Sequence, residues 1–380
     1  MRHLRIGILP LLLGAGLFVS PVGTRPASTR AALPPPADSL NDGPHVYWQD
    51  STHAIVFYLC GGAFPADRVR AQDTLAFAGR CTDSTAQYRL PRRPPRPARD
   101  TWDGVPRILA LSDIHGEYDA LVAFLERAGV IDTAGRWSWG NGHLVVLGDV
   151  VDRGDRVTEC LWFLYRLEQE AERAGGRVHL TLGNHEMMVM RDDLRYVHAK
   201  YTSGIVRYTG IRYPDLFGPD MELGRWLRSK PFVLKLNDVV FVHGGLAPEL
   251  AGRGLDIPTL NAIGRGSLDL SSVALAFSDV PSMLLGSAGP LWYRGYVGAR
   301  EGRYPAATSE ELDAMLRFYG ATTMVVGHTD LPQVTALHEG RVIVIDVSLE
   351  TLGAFQGLLW EDGAFSVVTG VGTVEPLPRP

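Results

Sequence analysis

Lysine is nearly missing from this 380-residue chain: it stands only at positions 200, 230 and 235, and arginine supplies the remaining basic charge. With that bias, no single arginine signals function without a motif around it. The net charge of -5 gives no overall electrostatic case for binding nucleic acid. Cysteine is scarce, with three residues, and none lies between Ser20 and Ala32, which excludes a lipid anchor on a new N-terminal cysteine. No internal repeat occurs, and beyond Val19 no apolar run is long enough to span a bilayer.

The N-terminus has the pattern of a secretory signal over residues 1–23. Arg2, His3 and Arg5 precede an apolar run from Ile6 to Val19. Gly7, Pro10, Gly14 and Gly16 interrupt the run, and it falls short of the ~20 residues of a spanning helix. Export to the periplasm, with no stable membrane insertion after cleavage, is the expectation; an uncleaved membrane anchor is the alternative. Cys60 and Cys81 suit a bond in an oxidising compartment, contributing about 3 kcal/mol by chain entropy. Cys160, on the apolar face of an expected helix, should be buried and free.

Residues 24–44, rich in Pro, Ala and Ser, read as a disordered linker. Residues 45–90 form a small β-rich region that opens with a hairpin: HVYW, the turn DSTH, then AIVFYL. His45 and His53 are expected at its surface. Residues 91–100, PRRPPRPARD, read as a solvated Pro/Arg linker, or more sharply as a basic docking segment. The main domain then runs over 101–370.

In that domain strands alternate with helices, which argues for a layered α/β fold. Strands are expected at Arg107–Leu111, His143–Leu147, Val178–Leu182, Val239–Val242, Thr323–Val326 and Val342–Val347. Helices are expected at Glu117–Ala128, Arg156–Ala174 and Glu310–Tyr319, with Asp155 placed to cap the second. Five strands run straight into polar motifs at their C-terminal ends: Ser112-Asp113, Gly148-Asp149, Gly183-Asn184, His243-Gly244 and Gly327-His328. Ligands of open α/β sheets collect at that edge, and a glycine beside each motif permits close backbone approach.

Two adjacent divalent ions require anionic or imidazole ligands, a bridging group and open positions. Asp113 and His115 suit one ion, Asp149 is placed to bridge, and Asn184, His243 and His328 complete the second sphere. That donor mix favours Mn, Fe or Zn over Ca. His185 follows Asn184 and is assigned as a general acid oriented by Asp152. Arg153 reads as a fork onto phosphate oxygens, or as an ion pair bracing its own loop.

These stretches carry a resemblance. LSDIHGEYDAL, LGDVVDRGD, LGNHE, FVHGG and VGHT resemble the five motifs of the calcineurin-like metallophosphoesterases. GDVVDRG is similar to the phosphoprotein phosphatase branch, while WLRSKPFVLKLNDVVFVHGGLAPE and GPLWYRGY resemble the bacterial Shewanella-like phosphatases. The resemblance spans Arg107 to Leu359. It implies a central β-sandwich of mixed sheets flanked by helices, with a di-metal site at one sheet edge; the small N-terminal extension lies outside the shared pattern. It also implies Arg294 as a second phosphate-binding arginine, beside Arg153 and Asn184.

The expected activity is therefore metal-dependent hydrolysis of phosphate monoesters without a phosphoenzyme, on a phosphoprotein or a small phosphate ester. Rivals are a diadenosine tetraphosphate hydrolase and a metal-holding scaffold without turnover. The segment from Met187 to Arg228, rich in Tyr and Arg, reads equally as a substrate lid or as helical packing. His143, His179, His198 and His338 are expected to be structural or exposed.

Overall fold

The computed structural model describes residues 40–298, 304, 306–347 and 349–377. The expected signal sequence and residues 24–39 of the expected first linker lie outside them.

Two six-stranded sheets pack face to face. The first holds three parallel strands, β7 (Arg107–Leu111), β8 (His143–Val146) and β9 (Arg177–Leu180). β15 (Gly357–Glu361), β16 (Ala364–Val368) and β17 (Val374–Pro376) extend it antiparallel from β7. The second has the order β13 (Thr335–Leu337), β14 (Val342–Val344), β12 (Thr323–Val326), β11 (Val239–Val242), β10 (Val233–Leu236) and β6 (Thr101–Trp102). Here β11, β12 and β14 run parallel.

Alternation along each strand makes the layers. Ile108, Ala110, Val145 and Leu147 point inward against Leu234, Leu236, Val239, Phe241, Val325 and Ile343. Leu109, Leu111, Leu144 and Val146 point the other way, beneath α1 (Tyr118–Arg127) and α2 (Val157–Arg173). Both faces of each parallel strand are thus covered, which is why these strands read as unbroken apolar runs. The helices cross over between parallel neighbours, so the C-terminal ends of all these strands gather at one edge. The final strand, β17, carries this domain past the expected end at residue 370.

The N-terminal region is a three-stranded sheet, β1 (Asn41–Trp48), β2 (His53–Cys60) and β3 (Ala66–Arg70), followed by the pair β4 (Thr74–Ala78) and β5 (Gln87–Pro91). The hairpin appears as expected, but β1 begins inside the stretch read as linker. Residues 41–44 look unstructured by composition, yet Asp42 and Pro44 are held by the main domain: Trp162 Nε1 donates to the Pro44 carbonyl at 2.8 Å. His45 is buried, not exposed, because Asp42 accepts its Nε2 at 2.7 Å and Phe57 packs on its ring. Trp48 ties β1 to helix Glu222–Arg228 by donating to Glu222 Oε2 at 2.6 Å. Cys60 and Cys81 are bonded, and Cys160 is free and buried.

Asp155 does not cap α2. Its carbonyl accepts from Lys200 Nζ (2.7 Å) and Tyr201 OH (2.9 Å), and the Tyr201 oxygen itself takes the Val157 N–H at 2.8 Å. A buried tyrosine hydroxyl thus does the work expected of a carboxylate.

Candidate metal centre

The loops leaving β7, β8 and β9 bring Asp113, His115, Asp149, Asp152, Arg153, Asn184 and His185 to one place. Those leaving β11 and β12 add His243 and His328. The backbone there is unusual: Asp113, His115, Asp149, Asp152, Arg153 and His328 all have φ between 49° and 71°. Non-glycine residues rarely hold this left-handed region, and clusters of them mark functional sites. Glycines let the loops touch. A Cβ on Gly183 would stand 2.1 Å from Asp149 Oδ1, and one on Gly327 would stand 1.9 Å from Ser112 Oγ.

Asp149 lies at the centre. Its Oδ2 is 3.2 Å from His243 Nε2, 3.8 Å from His185 Nε2 and 3.9 Å from His115 Nε2. Its Oδ1 accepts the His185 N–H at 2.9 Å. On one side, His115 is oriented by Nδ1 against the Val151 carbonyl (2.9 Å), and Asp113 lies 3.8 Å from its Nε2. Ser112 Oγ and the His328 N–H both donate to Asp113 Oδ2. On the other side, His243 is fixed by the Leu147 carbonyl at 2.6 Å and meets Asn184 Oδ1 at 2.9 Å. His115 and His243 present Nε2 inward because a backbone carbonyl holds each Nδ1.

The donor set fits metal ions. His115 Nε2 and His328 Nε2 are buried without a hydrogen-bond partner, and such orphans are costly unless something completes them. His115, Asp149 and His185 bring ligand atoms within 4.8 Å of one another, as do Asp149, His243 and His328. Asp149 belongs to both groups, as a bridging carboxylate must. The charges agree: burial works against a proton on His243, yet Asp149 and Asp113 outweigh it and raise its pKa to about 10. His115, dominated by burial and by Arg153 and His185 nearby, falls to about 3.

His185 Nδ1 meets Asp152 Oδ2 at 2.7 Å, which leaves Nε2 facing the cluster. Burial alone would lower the His185 pKa; Asp149 and Asp152 outweigh burial and raise it. Arg153 is exposed at the rim, its N–H donating to the Tyr196 carbonyl at 2.9 Å. Among the described residues no ion pair joins Arg153 to Asp152 or Asp155, against the bracing alternative. Arg294 is half-buried on the opposite side and donates to Thr329 Oγ1, next to His328, at 3.0 Å.

Two residues escaped the sequence reading. Glu186 is buried in α3 (Asn184–Met190) and accepts four backbone N–H groups, from Gly183, Asp149, Val150 and Val151, at 2.7–3.2 Å. Asp346, after β14, is buried, and burial and the Asp113 charge push its carboxyl up to about 9. The LGNHE motif displayed Glu186, but its first-turn position resembles an ordinary exposed helix residue.

Met187–Arg228 is mainly packing, with Tyr201, Tyr213, Leu216 and Phe217 buried. One part of it faces the centre: the Tyr196 ring, 48% exposed, lies 5.2 Å from that of His185. A hollow of about 370 Å³ opens alongside, lined by Met187, Met188, Arg191, Arg195, Trp292 and Tyr304, with Trp292 packed 5.5 Å from the His328 ring. His143 and His179 pair with each other at 2.9 Å beneath Trp102, a structural role.

Sandwich and sheet edge together define a metal-dependent hydrolase of phosphate esters. The sequence pattern of the calcineurin-like phosphoesterases matches residues 106–332, and the chain belongs to that family. It is 28% identical over 342 residues to Shewanella-like protein phosphatase 2 of Arabidopsis thaliana, covering 72% of this chain and 85% of the relative. The crystal structure of a cold-active protein-tyrosine phosphatase from a psychrophilic Shewanella species superimposes with a TM-score of 0.81 at 36% identity, covering 89% and 99% of the two chains. A symmetrical bis(5'-nucleosyl)-tetraphosphatase of Neisseria meningitidis is 30% identical over a shorter stretch, 37% of this chain and 44% of its own length.

Proposed function

We propose that this phosphatase dephosphorylates proteins by direct hydrolysis, with phosphotyrosine among its substrates. The observation that carries the reading is the Asp152–His185 pair aimed at the Asp149-centred cluster, with Arg153 and Arg294 on either side. Asp113, His115, Asp149, Asn184, His243 and His328 would hold two divalent ions, Mn, Fe or Zn. Such ions supply Lewis acidity and an activated water when bound.

The chain's own residues do the rest. Asp152 accepts the Nδ1 proton of His185 and so directs Nε2 into the cleft. Asp149 and Asp152 raise the proton affinity of His185 against its burial, and Nε2 is placed to protonate the leaving-group oxygen. Arg153 and Arg294 grip the phosphoryl oxygens from two sides, with the Asn184 amide assisting. The hollow between Arg195 and Trp292 leaves room for a peptide flanking the phosphorylated residue. Support for a protein substrate comes from the names of the Arabidopsis and Shewanella relatives. Export to the periplasm is part of the proposal; the N-terminal pattern and the Cys60–Cys81 bond favour it.

The test is phosphate release from metal-stripped protein, before and after Mn is restored. Phosphoserine, phosphothreonine and phosphotyrosine peptides are compared with diadenosine tetraphosphate. Metal-dependent turnover of the peptides, tyrosine foremost, is expected. Preference for the dinucleotide would move the protein to the tetraphosphatase reading, and metal binding without turnover of any substrate would favour a scaffold.

A further inference from the structure

The N-terminal sheet meets the catalytic domain at a buried charge cluster. Asp42, on β1 and fully buried, accepts His45 Nε2 at 2.7 Å and Thr158 Oγ1 at 3.1 Å on Oδ2. Its Oδ1 forms an ion pair with Lys200 Nζ at 2.9 Å. The same Nζ, with three protons to give, also donates to the Asp155 carbonyl at 2.7 Å. Burial alone would push the Asp42 carboxyl up, but Lys200 and His45 outweigh it and bring it to about 2.

Lys200 and Tyr201 therefore hold the loop 153–155 at its far end, through the Asp155 carbonyl. The near end is held by the Tyr196 carbonyl on the Arg153 N–H. One short segment, Tyr196–Tyr201, grips both ends of the loop that carries Arg153, and Lys200 fastens that segment to the N-terminal sheet. The loop needs such restraint: Asp152 and Arg153 have φ of 71° and 61°, a conformation local preference does not maintain.

We propose that Asp42 and Lys200 are positioning residues for phosphate recognition, acting through Arg153. The N-terminal sheet is then a working part of the site and not an appendage. The inference rests on the phosphatase reading, and one set of measurements separates the two.

The full chain, Lys200→Met, Lys200→Arg, Asp42→Asn, Arg153→Ala and Arg153→Ala/Lys200→Met are compared at equal metal content. The readouts are kcat and KM for p-nitrophenyl phosphate and the inhibition constant of inorganic phosphate. Lys200→Met should raise KM and the phosphate inhibition constant by roughly tenfold, with kcat changing less. Asp42→Asn should move them the same way, and Lys200→Arg should restore part of the loss. In the Arg153→Ala background, Lys200→Met should add nothing. A Lys200→Met protein that melts earlier but binds phosphate as the parent does, or additive effects in the double variant, would overturn the proposal. If Lys200→Met fails to fold, Asp42→Asn, with and without Arg153→Ala, decides by the same comparison. A parent enzyme with no metal-dependent turnover would instead refute the phosphatase reading.

Discussion

Glu186→Gln is a one-atom change that should cost far more than its size suggests. In the native site Glu186 Oε2 accepts from the Gly183 and Asp149 N–H groups, and Oε1 from those of Val150 and Val151. Burial and the Asp149 charge push its carboxyl up. Even so, four donors aimed at two oxygens leave no acceptor for a carboxyl proton, so the ionised form fits. Glutamine keeps one acceptor. Whichever way the amide turns, its NH₂ faces two backbone donors, which lose their partner in a buried place. At about 1–3 kcal/mol for each unpaired buried donor, the loss is about 4 kcal/mol. For a domain of this size that is a Tm lower by roughly 6–7 °C. These donors belong to the loops that shape Asp149 and Asn184, so metal stoichiometry should fall as well. Differential scanning calorimetry with and without Mn, beside elemental analysis of the purified protein, measures both. A variant with parental Tm and full metal content would refute the view that Glu186 holds these loops together.

Other expectations follow from the same geometry. His185→Asn should lower kcat by roughly 10²–10⁴ while metal stays bound, whereas Asp149→Asn should lose metal as well as rate. Elemental analysis beside kinetics distinguishes the two, and retained metal in the second variant would sink the bridging assignment. Asp42 bears on acid stability. Its folded pKa of about 2 lies below the ordinary value of 3.8, so its contribution is complete above about pH 4 and fades as pH falls from there towards 2. Denaturant titrations should show the gap between parent and Asp42→Asn largest above pH 4 and shrinking below it; a gap that stays constant to pH 2 contradicts this.

Much of the centre was legible because its residues are short motifs fixed to strand ends. Arg107–Leu111, Val239–Val242 and Thr323–Val326 match the expected strands residue for residue, since each is an apolar run halted by a polar turn. The backbone period then dictates which side chains face the edge. What local pattern could not convey was contact across the chain. Asp42 and Pro44 look like linker until Trp162 and Lys200 are seen beside them. Asp155 looks like a cap until Tyr201, forty-six residues later, takes the helix N–H. Glu186 looks like a surface acid because its four partners come from a loop more than thirty residues upstream and from its own helix start. The two-sheet arrangement came from family resemblance; alternation alone suggested a single open sheet.

The centre takes three of its five motifs from one sheet and two from the other. Side chains such as Ala110, Val145, Phe241 and Val325, which touch nothing in the site, set how far apart those sheets stand. The interior of the sandwich is therefore a spacer, and its thickness is transmitted to the separation between the ligand groups at the edge. A methyl group added or removed deep inside would be felt at the rim as a change of gauge. Two proteins with identical edge residues need not be tuned alike, because part of the tuning lies in hydrocarbon that no substrate meets.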